Sequence, residues 1–302
     1  MRTRFFLLAL ATALSLSAVV SSEDRQTAED VEQQVATLID SMEKGDMAGK
    51  AAADKLVRIG VPAVERLLIA LKHPNRRVRY WSVAAVARIR DERAFAPLVV
   101  MAKTDPDGYV RATAMWYLQN FPRQEVWDLA VEKLDDESKL VRGYAIRLLK
   151  EKGHTEAIPK LRELTKHREY ETRYDAMVAV TVLAGEKAIG VLRTIVRTDD
   201  HETVRKGALS CVTILKKKPP AVIPVLIDGL EDPSEEVRAF AAKLLRKGAN
   251  QTFYFQPGGD AEARAAAIRA WRTWYEKHKD RLYWDDGKRR FEIRAEKKQA
   301  KP

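Results

Sequence analysis

A valine followed by an arginine recurs along this chain at a nearly constant interval, and that interval constrains the fold more than any other feature. Successive pairs are 31 to 33 residues apart, and threonine replaces valine in one of them. Recurrence over such a distance is typical of a repeat architecture, in which each unit packs only on its neighbours. The six pairs are Val78-Arg79, Val110-Arg111, Val141-Arg142, Thr172-Arg173, Val204-Arg205 and Val237-Arg238.

Each pair begins a predicted amphipathic helix. The residue four positions after the first member of a pair is small, and the residue eight positions after it is apolar. Offsets 0, 4 and 8 share one face of an α-helix, so this face is predicted to be buried. A small side chain at offset 4 lets the helix approach its partner closely. The small residues are Ser82, Ala114, Ala145, Ala176, Ala208 and Ala241, and the apolar ones are Val86, Leu118, Leu149, Val180, Val212 and Leu245.

An earlier helical segment precedes each of these helices, and a short polar turn separates the two. The turns, such as HPN, TDPDG and EDPS, contain residues that favour helix N-caps and tight turns. A chain of 302 residues is too long for one ordinary core, whereas stacked hairpins provide each other's interior. The predicted fold is therefore all-α: a right-handed α-solenoid with six helical hairpins over residues 61–249.

These units resemble HEAT repeats, and most closely the short bacterial subtype described as phycobilin-lyase HEAT-like repeats. The resemblance rests on Val-Arg-x-x-Ala, on the Asp-bearing turn and on a first-helix proline at Pro97, Pro159 and Pro224. It implies a structural ladder, in which acids of the turns pair with arginines of the second helices; a basic ligand-binding stripe is the alternative. The ladder residues are Arg79, Arg111, Arg142, Arg173, Arg205 and Arg238 with Asp105, Asp135, Asp199 and Asp232.

The two ends of the repeat region must cover its terminal units. Residues 23–60 contain two helical segments, which predict an N-terminal cap or a degenerate first repeat. Residues 250–293 are rich in aromatic side chains and resemble the closing segment of exported HEAT-repeat proteins of planctomycete-type bacteria. Residues 294–302 form a predicted basic, disordered tail.

The C-terminal cap is predicted to contain a loop, a helix from about Ala261 to Lys279, and a short β-hairpin that the sequence Asp-Gly indicates. Trp271, Trp274 and Trp284 are expected to pack over the last repeat as a lid. An aromatic site for carbohydrate or peptide is the alternative.

Residues 1–22 have the pattern of a secretory signal peptide. Two arginines precede an uncharged, mostly apolar run from Phe5 to Val20, and small residues follow. This run is shorter than the roughly 20 residues that a membrane-spanning helix needs. We therefore expect export to the periplasm or the extracellular space with no transmembrane segment after cleavage; an uncleaved anchor is the alternative. Cys211 is the only cysteine and is predicted to be a small buried side chain.

The net charge is +11, and much of it lies near the C-terminus. A basic tail of this kind could bind a polyanion or a surface polymer, which is one alternative function. Nucleic acid is not an expected partner, because the body of the protein is only mildly basic and an export signal precedes it.

The sequence contains no recognisable catalytic motif, such as a phosphate-binding glycine loop or His-Glu-x-x-His. His73 and His167 occupy the same turn position three repeats apart, which places them on the order of 30 Å from each other at about 8–10 Å per helix. A related protein, deoxyhypusine hydroxylase, binds iron through several His-Glu pairs, and only His201-Glu202 matches that pattern. We predict no catalytic residue, metal site or cofactor; a HEAT-like lyase or metal-dependent enzyme is the alternative.

Aromatic side chains occupy offsets 2, 3 and 6 of the second helices, outside the apolar face. In HEAT solenoids these helices line the concave side, and aromatic residues are enriched at the centres of binding interfaces. We therefore predict a monomeric, non-catalytic scaffold that binds an unidentified protein or peptide partner. The alternative is that the rings fill the space between adjacent repeats. The predicted partner-binding residues are Tyr80, Trp81, Trp116, Tyr144, Tyr174 and Phe240.

Overall fold

The computed structural model describes residues 22–216 and 218–295. The predicted signal segment up to residue 21 and the predicted tail from residue 296 lie outside these ranges. No helix in the described ranges is long and apolar enough to cross a membrane. The chain divides into two compact units, of which the first ends at Phe121 and the second begins at Pro122.

The described part of the first unit consists of paired helices. α1 packs on α2, α3 on α4 and α5 on α6, while the second members α2, α4 and α6 pack side by side. The helices are α1 Ser22–Ser41, α2 Asp46–Ile59, α3 Val64–Ala70, α4 Arg76–Ile89, α5 Phe95–Thr104 and α6 Gly108–Leu118.

The second unit also consists of paired helices and ends in a hairpin. α7 packs on α8, α9 on α10, α11 on α12 and α13 on α14, and the second helices α8, α10, α12 and α14 are neighbours. The prediction of an all-α fold of helical hairpins with a C-terminal β-hairpin is confirmed. The elements are α7 Gln124–Glu132, α8 Lys139–Lys152, α9 Ile158–Leu164, α10 Tyr170–Ala184, α11 Ile189–Thr198, α12 Glu202–Ile214, α13 Val222–Asp228, α14 Glu235–Ala249, α15 Ala261–His278, β1 Leu282–Asp285 and β2 Arg290–Ile293.

The helix face at offsets 0, 4 and 8 forms the core, as the periodicity predicts. Every residue at these offsets in all six second helices is buried, with at most 4% of its surface exposed. Burial of one valine or leucine side chain contributes about 1.5–3 kcal/mol, so a repeated face of this kind supplies much of the driving force for folding. The small residues at offset 4 lie deepest and allow close contact between helices.

Side chains in the turns cap several of the second helices. Asn75 accepts a hydrogen bond from the backbone N–H of Arg77, and Asp107 accepts from those of Tyr109 and Val110. Each bond satisfies a backbone donor that the helix itself leaves unpaired.

The residue five positions before each pair stabilises the turn through a hydrogen bond between its side chain and the backbone. Its side chain accepts a hydrogen bond from the backbone N–H two residues later, with distances between 2.8 and 3.1 Å. Aspartate does this in four turns, and histidine does it through Nδ1 in the other two. The residues are His73, Asp105, Asp136, His167, Asp199 and Asp232.

The arginine of each pair binds the same turn from the other side. In all six repeats its Nη1 donates to the carbonyl oxygens of the residues six and five positions earlier, at 2.7–3.3 Å. These carbonyls precede the helix and have no partner within it, so the arginine satisfies groups that burial would otherwise leave unpaired.

Some of these arginines also form a two-bond pair with an aspartate in the turn of the next repeat. Arg79 binds Asp105, Arg173 binds Asp199 and Arg205 binds Asp232, each through two hydrogen bonds of 2.7–3.0 Å. Burial alone would raise the pKa of Asp199, but the hydrogen bonds from Arg173 and from the backbone of His201 hold that pKa below its ordinary value.

The ladder departs from the sequence expectation at one acid, Asp135, and at two arginines, Arg142 and Arg238. Asp135 is exposed and pairs with Lys160 rather than with an arginine, because Asp136 occupies the position five residues before Val141. Arg142 meets His167 rather than an aspartate in the next turn.

Two arginines therefore bind other partners. Arg142 donates to Glu169 and to the Thr172 hydroxyl, while Arg238, at the last repeat, donates to the carbonyl of Pro257 at 2.8 Å. The ladder thus ends on the backbone of the C-terminal cap.

The C-terminal cap packs on the last repeat. Trp271 of α15 is 1% exposed, contacts Trp274 edge to face, and belongs to the same core as the α13 and α14 side chains. The strands pair antiparallel in the register Leu282 with Ile293 and Asp285 with Arg290. The left-handed backbone conformation in the hairpin loop falls on Arg289, at φ 53°, and not on Gly287.

We expect Arg205→Ala to lower the free energy of unfolding by about 3–5 kcal/mol, because it leaves the fully buried carboxylate of Asp232 without its partner. The matched control is Glu236→Gln on α14, which breaks the exposed pair with Lys206 but leaves Lys206 on Phe240, and which should have little effect. Urea denaturation of both variants measures the difference. Equal effects in the two variants would contradict a structural role for the buried pair.

Candidate functional site

Neighbouring second helices of the second unit meet at two defined positions. Offset 2 of one helix faces offset 3 of the next. Tyr174, at offset 2 of α10, lies against Gly207, at offset 3 of α12, where an added Cβ would be 2.4 Å from the ring. In the next joint the ammonium group of Lys206 lies 5.9 Å from the ring centroid of Phe240. In both joints a large side chain, Tyr174 or Phe240, therefore packs against the residue opposite it on the neighbouring helix.

The joint between α8 and α10 is different because neither position carries a large side chain. Gly143 stands at offset 2 of α8 and Asp175 at offset 3 of α10, where an added Cβ on the glycine would be 3.7 Å from Oδ2. An open cleft of about 570 Å³ results, with Tyr144 on one side and Tyr174 on the other. We name it the α8/α10 cleft; Lys150 and Glu171 also line it.

Asp175 is the unpaired acid of this cleft. Within the described residues its carboxylate forms no ion pair or hydrogen bond. Although much of the residue is exposed, the carboxyl group is crowded by α8, and this burial raises the pKa of Asp175; Lys150 opposes the rise, and Glu171 adds to it. An acid that lies in a cleft and has a raised pKa is a candidate for a functional residue.

Two of the three cations of the cleft have acidic partners, whereas Lys150 forms no ion pair within the described residues and acts on Asp175 only by lowering its pKa. Lys139 binds Glu171 at 3.1 Å, and Arg147 binds Glu151 at 2.8 Å. A hydrogen bond to the backbone and the Lys139 ammonium group lower the pKa of Glu171. Asp175 was not among the residues that the sequence predicted, although an acid at offset 3 next to a glycine at offset 2 is the pattern that identifies it.

In the first unit, Tyr80 and Trp81 line a second cleft of about 420 Å³, together with the exposed ring of Tyr109. The rings of Tyr80 and Trp81 meet edge to face at 4.8 Å. Trp81 also lies directly over Gly49 of α2, where an added Cβ would be 2.2 Å from the indole ring. Its buried Nε1–H has no hydrogen-bond partner among the described residues.

The six predicted aromatic residues therefore differ in their surroundings within each unit. All six are half-buried. Tyr144 and Tyr174 line one cleft and Tyr80 and Trp81 another, whereas Trp116 and Phe240 line neither. Trp81 and Tyr174 also fill space against glycines of the neighbouring helix, so part of their role is structural.

The described residues contain no group of three His, Cys, Asp or Glu side chains that could hold a metal ion. His73 and His167 serve as acceptors within their turns. Cys211 is buried, and burial raises the pKa of its thiol.

Family comparison defines the class of the protein. A family model described as HEAT repeats matches residues 35–119 and 128–213, and a further HEAT-repeat model matches residues 222–247. The chain belongs to the HEAT-repeat family. A search among curated proteins finds no relative of this chain.

Several solved structures match this chain at low similarity. The complex of CpcE and CpcF of phycocyanin lyase from a Nostoc species is 24% identical, covers 59% of this chain and 98% of its own, and has a TM-score of 0.32. Human deoxyhypusine hydroxylase in complex with glycerol is 19% identical, with coverage of 85% and 99% and a TM-score of 0.35. A designed armadillo repeat protein in complex with the peptide (KR)4 is 17% identical, with coverage of 82% and 96% and a TM-score of 0.35. Likenesses this distant carry no argument about function.

We expect Gly207→Ala to destabilise the protein, although alanine favours a helix by about 1 kcal/mol over glycine. The new methyl group would meet the ring of Tyr174, and such overpacking typically costs about 1–3 kcal/mol. Gly190→Ala is the control, since nothing lies within 4 Å of an added Cβ there and only the helix preference acts. Chemical denaturation reports both; a stabilising Gly207→Ala would mean that Tyr174 is not held in this joint.

We expect Asp175→Asn to raise the stability of the protein near neutral pH. The folded pKa of Asp175 lies above the unfolded value, so the folded state disfavours ionisation, and the resulting destabilisation is present at neutral pH. The advantage of the variant should shrink as the pH falls through the folded pKa towards 3.8, where the wild-type carboxyl becomes protonated in both states. Urea midpoints across this pH range measure the difference.

The matched control for that experiment is Glu171→Gln, one helical turn earlier in the same cleft. Because the pKa of Glu171 is lowered in the fold, this variant should not gain stability at neutral pH. A gain of equal size in both variants would point to general charge repulsion instead of a specific effect at Asp175.

Proposed function

We propose that this protein is an exported, non-catalytic scaffold that binds a protein or peptide segment in the α8/α10 cleft. The observation that carries the proposal is the joint that Gly143 leaves unfilled, with two tyrosine rings beside it and one unpaired carboxylate within it. Export is supported by the basic start and apolar run of residues 1–22.

The shape of the cleft suits a side chain of an extended segment. Its volume of about 570 Å³ falls in the range of ligand-binding clefts, roughly 300–1,000 Å³. Tyr144 and Tyr174 supply flat amphipathic surfaces that lose little conformational entropy on binding, as tyrosines do in other recognition surfaces.

The charge of the cleft favours a cationic side chain. Lys139 and Arg147 are neutralised by their own acidic partners, whereas Asp175 forms no ion pair and Lys150 only partly opposes the rise of its pKa. A lysine or arginine of the bound segment would pair with this carboxylate and lie over a tyrosine face. The same pairing would offset the unfavourable ionisation of Asp175 in the free protein.

The test is selection of peptides from a random library on the purified protein, followed by affinity measurement by fluorescence anisotropy. We expect enrichment of peptides with a lysine or arginine, and a loss of about tenfold or more in affinity for Tyr144→Ala and Asp175→Asn, the size of one charge-assisted hydrogen bond. Asp175→Asn should lose affinity while it gains stability, which separates a binding defect from misfolding.

Two further variants make the test specific to the cleft. Gly143→Met should fill the joint and abolish binding, whereas Tyr170→Ala, on the same helix but outside the cleft, should bind normally because its ring stacks on His201. Peptides that bind all four variants with equal affinity would overturn the assignment of this site.

A further inference from the structure

A small cavity lies beneath the C-terminal hairpin, apart from the α8/α10 cleft. It has a volume of about 130 Å³ and is bounded by α13, α14 and the two strands. Its walls include the buried side chains of Val222, Leu226 and Phe291, and the ring of Trp284, which meets Phe291 edge to face at 5.1 Å. We name it the cap cavity.

The size and polarity of these walls suit a compact apolar group. An apolar cavity of about 150 Å³ in another protein stays dry and binds benzene. The cap cavity is of similar size, so it can hold one small ring or a short alkyl chain.

The rim of the cap cavity is basic. Lys218, Lys247 and Arg289 line it, and no acidic residue does. Within the described ranges 22–216 and 218–295, none of the three forms an ion pair. The ammonium group of Lys218 lies 4.7 Å from the ring centroid of Trp284, and Asp286 of the hairpin loop accepts the indole N–H without lining the cavity. Three cations therefore line one apolar opening, and no acidic side chain lines it with them.

The backbone of the hairpin holds one of these cations in place. Arg289 has φ 53°, a left-handed conformation that is unfavourable for a residue with a side chain. Glycine would be the preferred residue at this position if only the turn mattered. Residues with a strained backbone cluster at sites that bind ligands.

We infer that the cap cavity binds a small organic anion, whose carboxylate meets the three cations and whose apolar part enters the cavity. The apolar part is the size of a benzene ring or a short alkyl chain. Charge complementarity selects the carboxylate, because each cation can donate a charge-assisted hydrogen bond to it. This site does not depend on the proposed peptide-binding function, since it lies on different elements and carries the opposite charge.

The experiment is isothermal titration of the full-length protein with benzoate and with hexanoate at millimolar concentrations. We expect saturable binding at one site and at least about tenfold weaker binding of benzamide, which has the same ring but no charge. Absence of saturable binding by both carboxylates would overturn the inference, and so would equal binding of benzamide.

Variants locate the site. Arg289→Gly should weaken benzoate binding by about tenfold while it raises thermal stability, because glycine relieves the left-handed backbone. Lys247→Gln should weaken binding similarly, whereas Arg246→Gln, the adjacent exposed cation on α14 that does not line the cavity, should leave it unchanged. Equal losses in Lys247→Gln and Arg246→Gln would indicate only a general effect of positive charge and would overturn the site.

A final arm distinguishes a free small anion from the end of a chain. A short peptide with a C-terminal leucine carries the same carboxylate and apolar group. If that peptide binds the cap cavity and benzoate and hexanoate do not, the ligand is a peptide terminus and the inference is wrong.

Discussion

The guanidinium group at the start of each second helix is the contact on which the repeat geometry depends. It donates to two carbonyl oxygens of its own turn in every repeat, and Arg79, Arg173 and Arg205 also bind the aspartate of the following turn. A planar group with five fixed donors can make both sets of bonds at once, which a lysine cannot. One side-chain type therefore sets both the entry of the chain into a helix and the spacing to the next hairpin.

The periodicity of apolar residues was sufficient to predict the helices, but it did not identify every acid that pairs with an arginine of the ladder. Offsets 0, 4 and 8 indicated the buried face correctly because helical periodicity is a property of each segment alone. The turn DDES contains two adjacent acids, and the prediction that Asp135 is the ladder acid is wrong. Only Asp136 lies five residues before its pair, as Asp105, Asp199 and Asp232 do, so comparison of this spacing between repeats would have identified it.

The candidate cleft was harder to predict, because periodicity shows which side of a helix a residue occupies and not what faces it. Tyr144 and Tyr174 were predicted as aromatic surface residues, yet the cleft exists because offset 2 of one second helix meets offset 3 of the next. That relation is set by packing between repeats. Once it is known, the small pair Gly143 and Asp175 marks the one joint of the second unit's second helices that no large side chain fills.

The charged side chains of the second unit fall into two groups: those that form buried ion pairs and those that have no ion-pair partner within the described residues. Arg205 and Asp232 are buried against each other, so their charges are neutralised and contribute to stability. Asp175 and the cations of the cap cavity form no ion pair within the described residues, and burial disfavours the ionisation of Asp175, a cost that a cationic ligand would offset. The cleft offers the carboxylate of Asp175, whereas the cap cavity is lined by three cations. The two proposed sites therefore favour ligands of opposite charge.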